Sequence, residues 1–561
     1  MDVVTRVDDT ITAEVIRNAL AVAVEEASIV VVRSSHSTWI QEGADAAGAL
    51  LDAGGQLVAQ STATSLMHGA SLRTSLPYLL EVYPAAGMRP GDVYALNDPY
   101  RGGIHANDIL VFRPIFADGV VAYLAGTLIH VADVGGVSVA GLAALANDTF
   151  AEGLLLPPVR LYREGSAERD VLGIIERNSR SPGKVIGDVH ALVAGTAVVA
   201  RRIEELIGRY GAAQLARFVA DHLDYTERRV REELVKVPDG VYSGAFLIDS
   251  DGVDASRTYE VRAAVEVKGG QVDIDFTGTS PQSSGSINSS RSQTLSGVIY
   301  AVRCVMDPTI PMNEGCFRPV HVHLPEGTLV NPRPPAACGG RVVTVAAAVD
   351  AILDAFALAR PDLAVAASGL IHVFTLTGTG GDGQRWLNMF YEFGGIGARQ
   401  GSDGPDATGC FFLGGRSVIP QIEPLEAQYP FVAETSRLRP DSGGPGEWRG
   451  GLGVELRLRM LEAAELTVRG DRMGVPPPGR QSGRSGVGGS FLVERSNGVL
   501  EQLAHKQTQI PLLPGDVFIM RTSGGGGLGP AADRDPGLVR RDVLEGRVSA
   551  EGAERDYGVL Q

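Results

Sequence analysis

The pattern of apolar residues changes at Pro238-Asp239-Gly240, and this change constrains the fold more than any other feature of the sequence. Before it, apolar side chains recur every three or four residues over residues 12–33, 185–210 and 212–235, which predicts three amphipathic helices, the last two as a helical hairpin. After it, short alternating segments are separated by Gly and Asp turns, which predicts strands. A pure helical bundle is therefore excluded.

Glycine supports this division, because 71 of the 561 residues are glycine, well above the usual share of roughly 7%. Such a chain needs many tight turns and close backbone approaches. We predict an α+β, multi-domain protein with a helical and mixed α/β N-terminal part and a glycine-rich, mainly β second half. The expected divisions are 1–238 for the domain that carries the functional site, 239–430 for a β-rich middle domain with one helix at about 343–358, and 431–561 for a glycine-rich β domain.

Composition excludes several classes of partner. The formal net charge is -16 and no long Lys/Arg run occurs, which argues against nucleic acid binding. The four cysteines lack CxxC spacing and the density of a disulfide framework, which favours a reducing, cytoplasmic location. The N-terminus lacks the build of a signal peptide, and no stretch approaches 18 uninterrupted apolar residues, so no membrane association is expected.

Metal-ligand side chains concentrate in NDPYRGGIHANDI (97–109) and LAGTLIHVADVGG (124–136). His105 and Asp108 are three residues apart, so one turn can direct both at a single point, and His130 ends an apolar segment typical of a strand. Two imidazoles and a carboxylate suit Zn²⁺ or Mn²⁺, with a position left for a water that the cation converts to hydroxide. Asp45 is the best candidate for a fourth ligand.

Three further residues are candidates for catalytic roles. Asp98 precedes a proline, so it caps a turn or takes part in catalysis. Asp133 follows His130 by three residues and could orient its imidazole. His68 lies among small residues, in what we expect to be a loop, and could line the site.

Other patterns favour ordinary structural roles. His321 and His323 share one face of an expected strand, which we interpret as partly exposed. No GxSxG elbow and no GxxxxGK[ST] phosphate loop are present. The glycine run at 524–527 lacks the lysine of a phosphate loop, and we interpret it as tight turns or close backbone contact.

Taken together, several long segments resemble the hydantoinase B family, the B-type subunits of N-methylhydantoinases and 5-oxoprolinases, which is related to the α subunits of acetone carboxylases. Besides the two segments above, these are GDVHALVAG, DFTGTSPQSSGSIN, IPMNEGCFRPV, LRPDSGGPGEWRGGLG and the tail that begins SGGGGLGPAADRDPG. They occur in the right order over nearly the whole chain.

This resemblance implies that His105, Asp108 and His130 hold the metal together with a carboxylate from the N-terminal segment. Members of the family usually have a motif like ERxDFSxAxxD, whereas this chain has EGADAAGALLD. Asp45 matches the motif, but the Arg, Phe and Ser are missing. Whether Asp45 or Glu42 is the fourth ligand therefore stays open, and contacts to the substrate near Asp45 are expected to differ.

The resemblance also implies a division of labour. ATP, with Mg²⁺, would bind an A-type partner subunit that phosphorylates the oxygen of a small cyclic amide, and metal-bound water on this chain would then attack. An unstrained amide is a poor electrophile, so phosphorylation would supply the leaving group that metal polarisation alone cannot. The expected assembly is a heterotetramer of A-type and B-type chains.

Two alternatives stay open beside this ATP-dependent cyclic amide hydrolase of hydantoinase, oxoprolinase or lactamase type. The chain could be a component of an ATP-dependent ketone carboxylase, in which the same site directs carboxylation of an enol phosphate. It could also be a non-catalytic assembly subunit whose histidines only stabilise the fold.

Overall fold

The computed structural model describes residues 2–62, 66–141, 144–381, 383, 385–408, 419 and 421–559. Within these ranges the helices are α1 (Asp2–Ser34), α2 (Thr38–Gly43), α3 (Leu66–Val82), α4 (Thr149–Glu152), α5 (Arg169–Arg177), α6 (Pro182–Tyr210), α7 (Ala212–Leu234), α8 (Arg291–Cys304), α9 (Val342–Ala359), α10 (Ile422–Gln428), α11 (Pro536–Leu544) and α12 (Ala550–Tyr557).

The strands of the first two sheets are β1 (Ala46–Asp52), β2 (Leu57–Gln60), β3 (Val93–Leu96), β4 (Asp108–Ala117), β5 (Val120–His130), β6 (Val159–Arg163), β7 (Ser166–Ala167), β8 (Gly240–Ile248), β9 (Tyr259–Lys268), β10 (Gln271–Asp275) and β11 (Val320–His323). The remaining strands are β12 (Ile371–Thr379), β13 (Arg385–Phe393), β14 (Phe431–Leu438), β15 (Val454–Met460), β16 (Ala464–Arg469), β17 (Ser490–Glu494), β18 (Leu500–Gln502), β19 (Lys506–Leu512) and β20 (Val517–Arg521).

A seven-stranded sheet, in the order β2-β1-β5-β4-β3-β6-β7, organises the N-terminal part. Strand β1 is buried on both faces, since Ala49 and Leu51 pack with Leu72 and Leu76 of α3 on one side. On the other side Leu50 packs with residues of α1 and α6. Helices on both faces explain why this segment is an almost continuous apolar run rather than an alternating one.

The middle part contains a four-stranded sheet in the order β11-β10-β9-β8. Buried and more exposed residues alternate along β9, as expected when one face of a sheet packs on the core and the other faces solvent. Val261 and Val265 of β9 share a hydrophobic core with Ala346 and Val349 of α9. This sheet and α9 therefore form one layered unit.

The glycine-rich part forms two further sheets, β13-β12-β16-β19 and β14-β15-β20-β17-β18. Their inner faces share one apolar core, in which the rings of Phe374 and Phe518 lie 4.9 Å apart. The glycine run packs backbone against backbone, because a Cβ on Gly525 would lie 2.1 Å from the carbonyl oxygen of Ile396. The interpretation of this run as close backbone contact is confirmed.

The α+β fold with a mainly β second half is confirmed, as are the four predicted helices. Helix α1 begins ten residues earlier than predicted, at Asp2. The other eight described helices, α3 and α8 among them, were not predicted. The three-part division stays a proposal, and one sheet joins β12 and β13, before residue 430, with β16 and β19 after it.

Two helices, α6 and α9, are long and apolar enough to cross a membrane by length and composition alone. Of the most apolar window in α9, 67% of the residues are buried inside the protein, and that in α6 is 50% buried. Both helices pack against sheets of this chain, which is the arrangement of core helices.

Candidate functional site

The site forms where two neighbouring antiparallel strands begin and end. Asp108 is the first residue of β4 and His130 the last of β5, and the two are direct partners in the strand register. His105 lies in the tight turn before β4, where its carbonyl oxygen accepts the Asp108 backbone N–H at 3.0 Å. Sequence-local geometry thus brings all three side chains to one edge of the sheet.

Three donor atoms form a nearly equilateral triangle. His105 Nε2 lies 3.1 Å from Asp108 Oδ1, His130 Nδ1 lies 3.3 Å from the same oxygen, and the two nitrogens are 3.2 Å apart. Ligands at about 2.0–2.1 Å from a tetrahedral ion lie roughly 3.3 Å from one another. Asp108 Oδ1 is buried and makes no hydrogen bond of normal geometry to any described residue. The triangle therefore has the size and donor set of one face of a Zn²⁺ or Mn²⁺ site.

The protonation states at this triangle also suit a cation. Burial, reinforced by the nearby Arg341 guanidinium, lowers the pKa of His105 to about 3, so its imidazole is neutral. Burial alone would raise the pKa of Asp108, but the positively charged Arg341 guanidinium holds it well below its usual range. A neutral imidazole and an ionised carboxylate are the forms that metal binding requires.

Asp45 and His68 form a second polar pair beside the triangle. Asp45 immediately precedes β1, whose first residue, Ala46, pairs with Ile129 next to His130. His68 Nδ1 lies 3.1 Å from Asp45 Oδ1. Burial opposes both charges, yet the mutual attraction prevails, lowering the pKa of Asp45 and raising that of His68.

The surroundings of this pair correct one expectation and leave another open. His68 lies in the first turn of α3 and not in a loop, because LMHGASLRTSLPYLLEV forms a helix despite the internal Pro77. The Glu42 side chain lies outside the described part of the chain. Asp108 and His130 both act on the pKa of Asp45, which indicates that this carboxylate lies close to the triangle.

Asp98 and Asp133 both make structural contacts. Asp98 accepts the backbone N–H of Tyr100 and caps the short 3-10 helix Pro99–Arg101, which confirms the turn-capping interpretation. Asp133 is fully buried and accepts hydrogen bonds from the backbone N–H of Arg180 at 2.6 Å and from its Nη1 at 3.0 Å. This ties the segment after His130 to the start of α6. Their catalytic roles stay predictions.

Arg341 is a residue of the site that sequence reasoning missed. Its Nη2 donates to Asp108 Oδ2 at 3.1 Å, and its side chain is only 7% exposed. The two residues are 233 positions apart in the chain, so no local motif joins them. The one available signal was an arginine directly after the Gly339-Gly340 pair, where backbones approach closely.

Sequence comparison bears on what such a site is used for. The family model described as Hydantoinase B/oxoprolinase matches residues 9–531. The B subunit of a putative D-/L-hydantoinase from Pseudomonas sp. (strain NS671) is 29% identical over 98% of this chain and 95% of its own. The beta subunit of the caprolactamase from Pseudomonas jessenii is 31% identical over 98% of this chain and 96% of its own.

Solved structures give the same relationship in three dimensions. The ATP-dependent caprolactamase from Pseudomonas jessenii superimposes with a TM-score of 0.88 at 30% identity, over 98% of this chain and 96% of that one. A nucleotide-free acetone carboxylase also has a TM-score of 0.88, over 98% of this chain and 79% of that one, but at 19% identity. The second likeness shows a shared fold and nothing more.

Proposed function

Because the chain belongs to the hydantoinase B/oxoprolinase family, we propose that it is the metal-binding component of an ATP-dependent hydrolase of cyclic amides. The observation that carries the proposal is the buried triangle of His105 Nε2, Asp108 Oδ1 and His130 Nδ1, with sides of 3.1 to 3.3 Å. Relatives named as a hydantoinase and a caprolactamase, both acting on cyclic amides by name, support this class of substrate.

In this function His105, Asp108, His130 and Asp45 hold a Zn²⁺ or Mn²⁺ ion. When bound, such an ion lowers the pKa of water and so supplies a nucleophile near neutral pH. His105 is neutral and offers a lone pair, while Asp108 supplies negative charge. His68 Nδ1 lies 3.1 Å from Asp45 Oδ1, and this contact orients the carboxylate, as partners of metal ligands commonly do. Asp133 fixes the segment that follows His130.

Activation of the amide is assigned to a partner. The name of the ATP-dependent caprolactamase and the naming of the relatives as subunits support an A-type chain that binds ATP with Mg²⁺ and phosphorylates the substrate. The sequence of this chain contains no GxxxxGK[ST] loop that would bind the nucleotide here. We assign the pair to a heterotetramer in the cytoplasm.

A ketone carboxylase component is the second candidate, supported by the fold shared with acetone carboxylase. Hydrolysis is favoured because the relatives at 29–31% identity that are named for an activity are a hydantoinase and a caprolactamase. Reconstitution with the A-type partner separates the two. ATP turnover with hydantoin, 5-oxoproline or caprolactam supports hydrolysis, whereas turnover only with a ketone and bicarbonate contradicts it.

Elemental analysis of the purified complex tests the metal site directly. We expect one Zn or Mn per chain, and we expect His105→Ala to lose the ion and to lower ATP-dependent hydrolysis at least ~100-fold. The matched control is His321→Ala, an exposed histidine on β11, which should change activity by less than about 2-fold. Full activity of His105→Ala would instead support the non-catalytic assembly role.

A further inference from the structure

The segment 336–341 brings a buried guanidinium to the metal site from the middle of the chain. Arg341 is 6% exposed, and its Nη2 contacts Asp108 Oδ2 at 3.1 Å. The two carboxylate oxygens of Asp108 therefore face different groups. Oδ1 faces the nitrogens of His105 and His130, and Oδ2 faces Arg341.

The same segment is held from two other parts of the chain. Glu152, in α4, accepts the backbone N–H groups of Cys338 and Gly339, one on each carboxylate oxygen. Arg469, at the end of β16, donates to the carbonyl oxygen of Gly339 at 2.8 Å. A Cβ at Gly339 would lie 2.8 Å from Glu152 Oε1, so the anchor fits only glycine without movement. Arg341 thus projects from a fixed backbone.

Burial of this guanidinium calls for an explanation. A buried ion requires compensation, and an isolated one is strongly destabilising. Arg341 forms an ion pair with Asp108, while its Nε is buried and has no hydrogen-bond partner among the described residues. A buried guanidinium with an unpaired Nε is a poor way to stabilise a fold. Contact with the second oxygen of a carboxylate that binds a metal is, by contrast, a common way to orient that carboxylate.

We propose that Arg341 is a positioning residue of the metal site, which holds Oδ2 so that Asp108 binds the cation through Oδ1 alone. This inference rests on the proposed function. A carboxylate free to rotate could place both oxygens on the cation and occupy the position that the reaction needs for water. By engaging Oδ2, Arg341 fixes the direction of Oδ1 and keeps that position open.

The test compares Arg341→Lys and Arg341→Met with the wild type, each in complex with the A-type partner. Metal affinity is measured by competition with a chromogenic chelator, and ligand geometry by the visible absorption of the Co²⁺-substituted protein. We expect Arg341→Met to weaken metal binding about 10–100-fold and to change the Co²⁺ spectrum. Lysine keeps the positive charge but presents one ammonium nitrogen instead of a planar guanidinium, so Arg341→Lys should recover part of the affinity and move the spectrum back toward that of the wild type.

Arg472 provides the matched control, since it is also buried and its Nη2 forms an ion pair with Asp350 instead of a candidate metal ligand. Arg472→Lys should lower thermal stability and leave the chelator competition and the Co²⁺ spectrum unchanged. Wild-type metal affinity and a wild-type Co²⁺ spectrum in Arg341→Met would overturn this inference but not the proposed function. If Arg341→Met fails to fold, Arg341→Gln takes its place, and wild-type affinity and spectrum in that variant overturn the inference in the same way. A wild-type complex that binds no metal would overturn the proposed function as well.

Discussion

The two ends of the chain use compact polar and glycine-rich motifs for opposite purposes. At the edge of the N-terminal sheet, glycines in NDPYRGGIHANDI make a turn that brings side chains together, and His105, Asp108 and His130 converge there. In the C-terminal sheets the run at 524–527 brings backbones together, and a Cβ on Gly525 would meet the Ile396 carbonyl oxygen. A family-like motif therefore corresponds either to a candidate metal site or to a place of close backbone packing. The presence of metal-donor side chains distinguishes the first kind from the second.

The largest effect is expected from a substitution at the candidate metal site. Asp108→Asn keeps the shape of the side chain but removes the charge that faces both the imidazoles and Arg341. We expect loss of bound metal and a fall in ATP-dependent hydrolysis of at least ~100-fold, measured by elemental analysis and turnover. Asp362→Asn, at an exposed aspartate paired with Arg360, is the control. Retained metal in Asp108→Asn would contradict the proposed site.

A substitution in the glycine run at 524–527 should lower stability and leave metal binding unchanged. Gly525→Ala forces a methyl group against the Ile396 carbonyl oxygen, and we expect the free energy of unfolding to fall by about 3 kcal/mol, the upper end for overpacking. Urea denaturation measures this. The metal content of the folded fraction should stay at the wild-type value. A loss of metal from the folded protein would contradict the view that the glycine run serves packing alone.

The matched glycine lies in α6. Gly208 has open space where its Cβ would be, so Gly208→Ala should raise the free energy of unfolding by up to about 1 kcal/mol. Stabilisation at Gly208 together with destabilisation at Gly525 would show that the C-terminal glycines are required by close contact and not by composition.

The smallest effect concerns Glu152, which accepts the backbone N–H groups of residues 338 and 339. Burial raises the pKa of Glu152 to about 7, although two backbone N–H groups favour the ionised form. The folded state therefore keeps a proton that the unfolded chain loses above pH 4.5. The stability that this carboxyl contributes is present below pH 4.5 and is lost as pH rises to 7.

Glu152→Gln measures this contribution by removing the titration. Between pH 6 and pH 7 the free energy of unfolding of the wild type should fall by about 1 kcal/mol relative to the variant. Denaturation curves at the two pH values provide the difference. Equal pH dependence in both proteins would show that Glu152 does not titrate in this range.

The parts of the site that could be predicted from sequence are those formed by neighbours in the chain. His105 and Asp108 share one turn, and His130 ends the strand that pairs with Asp108, so ordinary strand geometry brings them together. Asp45 was named as a fourth-ligand candidate from the sequence, and the resemblance to the family pointed to the same position. Its place beside the triangle depends on the pairing of β1 with β5, more than 70 residues later in the chain.

The features that could not be predicted depend on contacts between residues that are far apart in the chain. Arg341 meets Asp108 across 233 residues, and Glu152 meets Cys338 across 186. Helix α3 was missed because LMHGASLRTSLPYLLEV contains Pro77 and several small residues, so burial against β1 and not intrinsic preference accounts for its helical state. Helix α8 has a similarly weak apolar pattern and is mostly buried.

The register of β4 against β5 carries a further consequence. Asp108 is paired with His130, and the irregularity between Ile115 and Phe116 lies at the opposite end of the same hairpin. Sliding β4 by one residue would send Asp108 to the other side of the sheet, away from both imidazoles. A chain with this shifted register could be compact and would still not bind the cation. Metal uptake during biosynthesis would therefore distinguish correctly aligned molecules from misaligned ones.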